Sequence, residues 1–224
     1  MIPCNYEDWD NLNGWTSECI VLSDSRYLGV NSMKVTADGD FVYLYFDFAH
    51  DDREIGENRP SCTIDFFIDS DANAGTGLYT VKDDIDGVNQ SPFSPFGAEW
   101  YVQTNTYNGS NYYDFSAPGY FLEYNSDKPY GKYGGNTINH GRNDKNEVTR
   151  DVSYAQLKRN GDGALMEWKI SRSLLKLSST KASFGLHYQC PGYTTDGICP
   201  QGKKDANGKF VPAPMLKVTL PPKN

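Results

Sequence analysis

An all-β fold of two packed antiparallel sheets is the architecture that three observations on this 224-residue chain predict. Short runs of alternating apolar and polar residues recur along its whole length. Clusters of Gly, Asn, Asp and Pro separate them, and no segment keeps a helical period for more than a turn or two. Roughly nine or ten such runs can be counted, enough for two stacked sheets and too many for one open sheet of this size. Sandwiches of this length form around one core, so residues 1–224 are expected to make a single domain.

Taken in order, the chain opens on Asp8-Trp9-Asp10-Asn11-Leu12, and Trp9 and Trp15 are expected to cap one end of the sandwich. Strands are predicted at 18–22 and 32–36. Ala37-Asp38-Gly39-Asp40 then carries the Asp-Gly signature of a tight hairpin leading into a strand at 41–48. There Val42, Leu44, Phe46 and Phe48 alternate with Phe41, Tyr43, Tyr45 and Asp47. Both faces are largely apolar, which predicts a central strand covered on each side.

After a charged loop at 50–60, residues 62–77 join an apolar strand to a turn packed with oxygen side chains. Ile64, Phe66 and Ile68 alternate with Thr63, Asp65 and Phe67. Asp69, Asp71 and Asn73 follow at every second position, and Gly75 and Gly77 let the backbone curl those oxygens inward. A short strand at 78–81 and a loop at 82–96 with a Ser-Pro-Phe-Ser-Pro-Phe tract precede a strand at 97–106, where Trp100, Val102 and Thr104 alternate with Tyr101, Gln103 and Asn105. Residues 107–146, rich in Tyr, Asn and Gly, read as a long irregular insert with one apolar patch at 120–124. So long an irregular stretch in a compact domain usually carries function or wanders in solution.

A hairpin is predicted from 152–158 and 164–170 around Asn160-Gly161-Asp162-Gly163, with a helix at 153–159 as the less favoured alternative. Ser171 should cap a single helical turn at 171–175. Strands at 182–189 and 215–220 close the sheets, with a minor hairpin turning at Asn207-Gly208 inside the 190–209 segment.

Composition removes several functions. The net charge is −8 and no basic run exceeds Lys203-Lys204, so nothing would neutralise a phosphate backbone, and nucleic acid is not an expected partner. No apolar run is long enough to span a bilayer, which argues against membrane insertion. A chain starting at Met1-Ile2-Pro3 without a signal peptide also fits a protein whose leader has been removed. The five cysteines are Cys4, Cys19, Cys62, Cys190 and Cys199, so at most two intrachain pairs can form. Cys190 with Cys199 would staple a turn-rich loop and Cys4 with Cys19 is a second pairing; buried free thiols are the alternative. Zinc is disfavoured by the absence of Cys-x-x-Cys spacing.

Five motifs occur in succession: Trp9; Val35-Thr36-Ala37-Asp38-Gly39-Asp40-Phe41-Val42-Tyr43-Leu44; Phe67-Ile68-Asp69-Ser70-Asp71-Ala72-Asn73-Ala74-Gly75-Thr76-Gly77; Gly97-Ala98-Glu99-Trp100; and Met166-Glu167-Trp168-Lys169-Ile170-Ser171-Arg172-Ser173-Leu174-Leu175. Their order resembles the family 9 carbohydrate-binding modules and the wider DOMON-like superfamily, over roughly residues 8–106 and 150–190. The resemblance implies a jelly-roll-like β-sandwich with long loops, often with bound calcium and in some members a sugar held between aromatic side chains. It further implies a secreted or cell-surface setting within a larger polypeptide of a glycan-degrading bacterium.

Two constellations carry candidate chemistry. Asp69, Asp71 and Asn73 have the spacing that opens an EF-hand loop, but glycine falls one position late and the closing glutamate is missing, so Asp84 or Asp86 would have to complete a calcium site. The alternative is a carboxylate-rich turn whose oxygens accept backbone amides. The second constellation pairs rings with polar side chains, as a sugar with apolar faces and polar edges requires. Trp100, Tyr101, Gln103, Tyr107, Tyr112 and Tyr113 are the candidate contacts to an oligo- or polysaccharide, although Trp100 on an apolar strand face also reads as core. No nucleophile elbow, zinc-hydrolase helix or phosphate loop is present, so no catalytic residue is assigned. A structural or adhesive surface domain without sugar binding is the competing function.

Overall fold

The computed structural model describes residue 9 and residues 15–18, 20–21, 30–48, 63–77, 81–82, 89–90, 93–105, 120–124, 135–139, 153–160, 163–177, 180–189 and 196–223. Among these residues there is no α-helix, and the strands are β1 (Trp15–Glu18), β2 (Ile20–Val21), β3 (Val30–Ala37), β4 (Phe41–Phe48), β5 (Thr63–Asp69), β6 (Val81–Lys82), β7 (Asn89–Gln90), β8 (Trp100–Asn105), β9 (Tyr120–Tyr124), β10 (Gly135–Asn139), β11 (Ser153–Asn160), β12 (Gly163–Ser171), β13 (Lys181–Gln189), β14 (Asp196–Cys199), β15 (Lys203–Lys204), β16 (Phe210–Val211) and β17 (Leu216–Thr219). They outnumber the nine or ten expected because several are two-residue pairs, too short to show any alternation.

Two antiparallel sheets face each other. One has five strands in the order β1-β3-β4-β12-β11; the other has eight, β10-β9-β8-β5-β13-β14-β2, with β17 also paired to β13. Between them lies the core. Val42, Leu44, Phe46, Trp168 and Ile170 from the first sheet meet Phe66, Ile68, Trp100, Phe184 and Leu186 from the second. Phe66 is its centre, with its ring 5.7 Å from Phe46, 6.3 Å from Trp168 and 6.1 Å from Phe184. Burying each such side chain contributes about 1.5–3 kcal/mol.

The outer faces are covered as well. β4 lies inside the five-stranded sheet, as its two apolar faces require, and its Tyr43 and Tyr45 pack on the outside against Trp9. Trp9 therefore does not cap an end of the sandwich. Its ring sits 5.3 Å from that of Tyr45, and its Nε1 donates a 2.6 Å hydrogen bond to Oε1 of Glu167, which is buried on the same face. Trp15 pairs with Val35 as part of an edge strand. Trp9→Phe should keep the ring contact but remove a donor from a buried carboxylate, lowering stability by about 1–3 kcal/mol in urea denaturation.

On the outside of the eight-stranded sheet, Phe67 is covered by Phe93 and Phe96 of the proline tract, together with Ile198 and Met215. Gly185 is part of this arrangement, because a Cβ there would lie 2.5 Å from Phe93 Cζ. Cys199 is buried and disulfide-bonded, which removes the free-thiol alternative for it; Cys4, Cys19, Cys62 and Cys190 lie outside the described residues.

Local chemistry differs from expectation at two points. The β3–β4 turn is held by a side chain: Asp38 Oδ1 accepts the N–H groups of Asp40 at 2.9 Å and Phe41 at 2.8 Å, while Oδ2 accepts the Tyr43 hydroxyl at 2.8 Å. Gly39 is not among the positive-φ residues, so the turn is not the glycine-dependent type. Burial pushes the Asp38 carboxyl up, but these three donors outweigh it and hold it below its ordinary value. The insert at 107–146, expected to be irregular, contributes β9 and β10, paired from Tyr124↔Gly135 to Tyr120↔Asn139 at the edge of the larger sheet. Gly135, Asn136 and Asn139 in β10 concealed it, being residue types depleted in strands. The helical turn after β12 does form, and its end has Leu177 N–H bonded to Arg172 O and Lys176 N–H to Ser173 O. That is a Schellman closure, with Lys176 at φ 51 in the place usually held by glycine. The β11–β12 hairpin forms, and the helix alternative does not.

Candidate functional site

The oxygen-rich turn begins where β5 ends. Asp69 is the last residue of the strand and is buried, Asp71 is exposed beyond it, and the turn ends at Gly77, which packs against the segment entering β8. That approach is close. A Cβ on Gly77, whose φ is 71, would lie 2.5 Å from the carbonyl carbon of Ala98, and one on Gly97 would lie 2.6 Å from the Thr76 carbonyl oxygen. This tight passage brings Glu99 beside the turn, so that ligand oxygens of Asp69, Asp71 and Glu99 all lie within 4.8 Å of one another.

Most oxygens in the turn have donors. Asp69 Oδ1 accepts the N–H of Asn73 at 3.1 Å and of Asp71 at 3.3 Å; Asp71 Oδ1 accepts Asn73 N–H at 2.8 Å. The Thr76 hydroxyl donates toward Asp71, and Asn73 Oδ1 accepts Gly75 N–H at 3.0 Å. Glu99 is different. Its Oε2 accepts Ser70 N–H at 2.8 Å, while its Oε1 is buried without a hydrogen-bond partner.

Three carboxylates in one half-buried spot without a cation strain one another's ionisation. Burial pushes the Asp69 carboxyl from its ordinary 3.8 to about 7, and the neighbouring charges of Glu99 and Asp71 act in the same direction. Burial likewise raises Glu99, reinforced by the charge of Asp71 and only partly offset by Ser70 N–H. A hard divalent cation suits this donor set: all ligand atoms are oxygen, the charge is in excess, and one buried oxygen lacks a partner.

The sign of the pH dependence follows. With its folded value above its unfolded value, Asp69 binds more protons in the native state, so its contribution falls as pH rises from about 4 to about 7. Metal-free protein should therefore have a lower urea midpoint at pH 7.5 than at pH 5. Asp69→Asn should flatten that difference, and a wild-type midpoint no lower at pH 7.5 would contradict the assignment.

The sequence pointed to Asp69, Asp71 and Asn73 but missed Glu99. Asp84 and Asp86, the expected closing ligands, lie outside the described residues. Glu99 was hidden by its distance of thirty positions from Asp69; the signal that pointed to it was Gly97 and Gly77, which allow the two segments to touch.

The aromatic candidates divide. Trp100 is 1% exposed, lies in the core between the sheets, and donates through Nε1 to the Leu175 carbonyl at 2.9 Å. It therefore cannot present its ring to a ligand, and its assignment as a sugar contact is corrected. Tyr107, Tyr112 and Tyr113 lie outside the described residues. Tyr101 and Gln103 are on β8, and the alternation that turns Trp100 inward places both on the outer face of the eight-stranded sheet.

Register extends that face into a row. Gln103 stands opposite Tyr120 on β9 and Asp65 on β5, and Asp65 stands opposite His187 on β13. One step along the strands, Tyr101 stands between Leu122 and Phe67. Backbone pairing thus brings Tyr101, Gln103, Tyr120, Asp65 and His187 to neighbouring register positions across four strands. Tyr120, Asp65 and His187 were not candidates from sequence, because only pairing makes them neighbours.

Among known proteins, no family model matches this chain and no curated protein does. Solved structures do. A carbohydrate-binding module of family 9 from Caldicellulosiruptor kristjanssonii in complex with cellotriose matches with 12% identity over 96% of this chain and 86% of that one, with a TM-score of 0.43. A structure of such a module from the same organism with glucose matches with 11% identity over 96% and 87%, also at 0.43. No helix among the described residues is long and apolar enough to cross a membrane.

Proposed function

We propose that this chain is a non-catalytic carbohydrate-binding module of a secreted or cell-surface protein, with calcium held by Asp69, Asp71 and Glu99 to shape the turn between β5 and β8. The observation that carries the sugar reading is the register that puts Tyr101, Gln103, Tyr120, Asp65 and His187 on one sheet face. Rings for the apolar side of a pyranose, and amide, carboxylate and imidazole groups for its hydroxyls, are the groups a saccharide site combines. The order of the five sequence motifs supports the same reading.

A glycan array with the intact protein tests it. Binding to at least one oligosaccharide is expected, weakened at least tenfold by Gln103→Ala or Tyr101→Ala, since each removes a contact worth on the order of 1.4 kcal/mol. A blank array across plant and host glycans favours the competing reading, a structural or adhesive domain. The calcium reading has its own test. Calcium at about a hundred times its dissociation constant would stabilise the fold by about 2.7 kcal/mol, and Glu99→Gln should abolish most of that gain. An unchanged melting temperature with calcium or chelator, and no metal by elemental analysis, would exclude it.

A further inference from the structure

Two strand pairs among the described residues belong to neither large sheet, β6 with β7 and β15 with β16. β15 and β16 form a separate two-stranded hairpin, with Lys203 opposite Val211 and Lys204 opposite Phe210. Its turn is built with care. Asp205 N–H donates to the Lys209 carbonyl at 2.9 Å, Gly208 N–H to the Asp205 carbonyl at 3.0 Å, and Gly208 takes a φ of 77. Asp205 Oδ1 accepts the N–H groups of Asn207 at 2.8 Å and Lys209 at 2.9 Å. The only carboxylate of the hairpin is thereby turned into its own backbone.

What remains outward is cationic. Lys203, Lys204 and Lys209 are exposed, and none has a carboxylate partner among the described residues. Val211, 37% exposed, is the exposed large apolar side chain of the described residues, with Lys203 across from it and Lys209 two positions before it. The wider context sharpens the contrast. Residues 176–224 hold seven lysines and two aspartates, whereas the chain as a whole has a net charge of −8. Lysines often guard sheet edges against pairing, but strands of two residues have little edge to guard.

We propose that this hairpin binds an anionic polysaccharide, with the ammonium groups of Lys203 and Lys209 on its carboxylate or sulfate groups beside Val211, which meets an apolar ring face, while Lys204, across from Phe210, adds positive potential from the other face. The proposal rests on the carbohydrate-binding reading and adds a second, charge-selective contact surface to it. Exposed ammonium groups on a short rigid arm favour a polymer of repeated negative charges, because each contact alone is weak and screened by salt.

The test is affinity electrophoresis of the full chain in gels cast with polygalacturonate, with chondroitin sulfate, or with neutral mixed-linkage β-glucan. Retardation in at least one anionic gel is expected. Lys203→Gln/Lys204→Gln/Lys209→Gln should weaken it about tenfold, the combined effect of losing two exposed charge contacts and a third charge close by. Retardation by polygalacturonate alone would identify carboxylate as the recognised group, and by chondroitin sulfate alone would bring in sulfate. No retardation in either anionic gel, equal retardation of the triple variant, or equally strong capture by phosphatidylserine vesicles would overturn the proposal. Gln103→Ala separates the two surfaces: it should weaken neutral glucan binding and leave the triple-lysine effect intact. Wild-type protein that is retarded in an anionic gel but not by the neutral glucan would count against the sheet-face site alone.

Discussion

Gly77→Ala should lower stability by about 3–5 kcal/mol, and the variant should lose its response to calcium as well. Two costs combine. Alanine in the left-handed region costs about 1–2 kcal/mol, and its Cβ would lie 2.5 Å from both the carbonyl carbon and the carbonyl oxygen of Ala98, backbone that cannot swing aside like a side chain. Relieving that contact means parting the turn from the entry to β8, which moves Glu99 away from Asp69 and Asp71. Gly208→Ala is the control. Its φ of 77 is similar, but nothing lies within 4 Å of the added Cβ, so only the backbone cost of about 1–2 kcal/mol remains. Equal urea midpoints for the two variants would show that the close passage contributes nothing.

Arg172→Ala should be comparably damaging, at about 3–5 kcal/mol. Arg172 is 1% exposed, and its Nη1 donates to the carbonyls of Asp38 at 2.9 Å, Gly39 at 3.3 Å and Pro221 at 2.8 Å. One guanidinium thereby ties the β3–β4 turn, the Schellman turn after β12 and the chain beyond β17. Burial lowers its pKa, opposed by the charges of Asp38 and Asp40, and an arginine remains charged regardless. Removing it takes the donor from three carbonyls, in one buried and two part-buried bonds, and each carbonyl that water cannot reach costs about 1–3 kcal/mol. Arg172→Lys retains the charge but not the planar fork, so it should recover only part of the loss. For a protein of this size each kcal/mol moves the melting temperature by about 2–4 °C, so the alanine variant should melt roughly 10 °C lower. A shift under about 2 °C would mean that water replaces the guanidinium without penalty.

Strand identity was legible wherever one face of a strand was apolar. β4, β5, β8, β12 and β13 appear in the alternation of Val42, Leu44 and Phe46, of Phe66 and Ile68, of Trp100 and Val102, of Trp168 and Ile170, and of Phe184 and Leu186, because a buried face leaves a period of two in the sequence. β10 was not legible, since Gly135 to Asn139 has no such face and is a strand only because β9 pairs with it. Trp9 was misplaced for a related reason. A tryptophan near a chain start suggests a lid, and nothing local reveals that Tyr43, Tyr45 and Glu167 wait for it on the outer face of a sheet.

The candidate sites divide along the same line. The sequence by itself determined the turn: Asp69, Asp71, Asn73 and Gly77 are close along the chain, and their spacing already implies oxygens curled inward on a flexible backbone. It also determined the fold class, because alternation and turn residues are local properties. Only the tertiary structure decided that Glu99 completes the carboxylate cluster, that Trp100 is core, and that Gln103, Tyr120, Asp65 and His187 share a row. Each of these depends on strand pairing or on sheet packing between distant segments. Such contacts are selected by the burial of whole faces, and no short stretch of sequence carries that information.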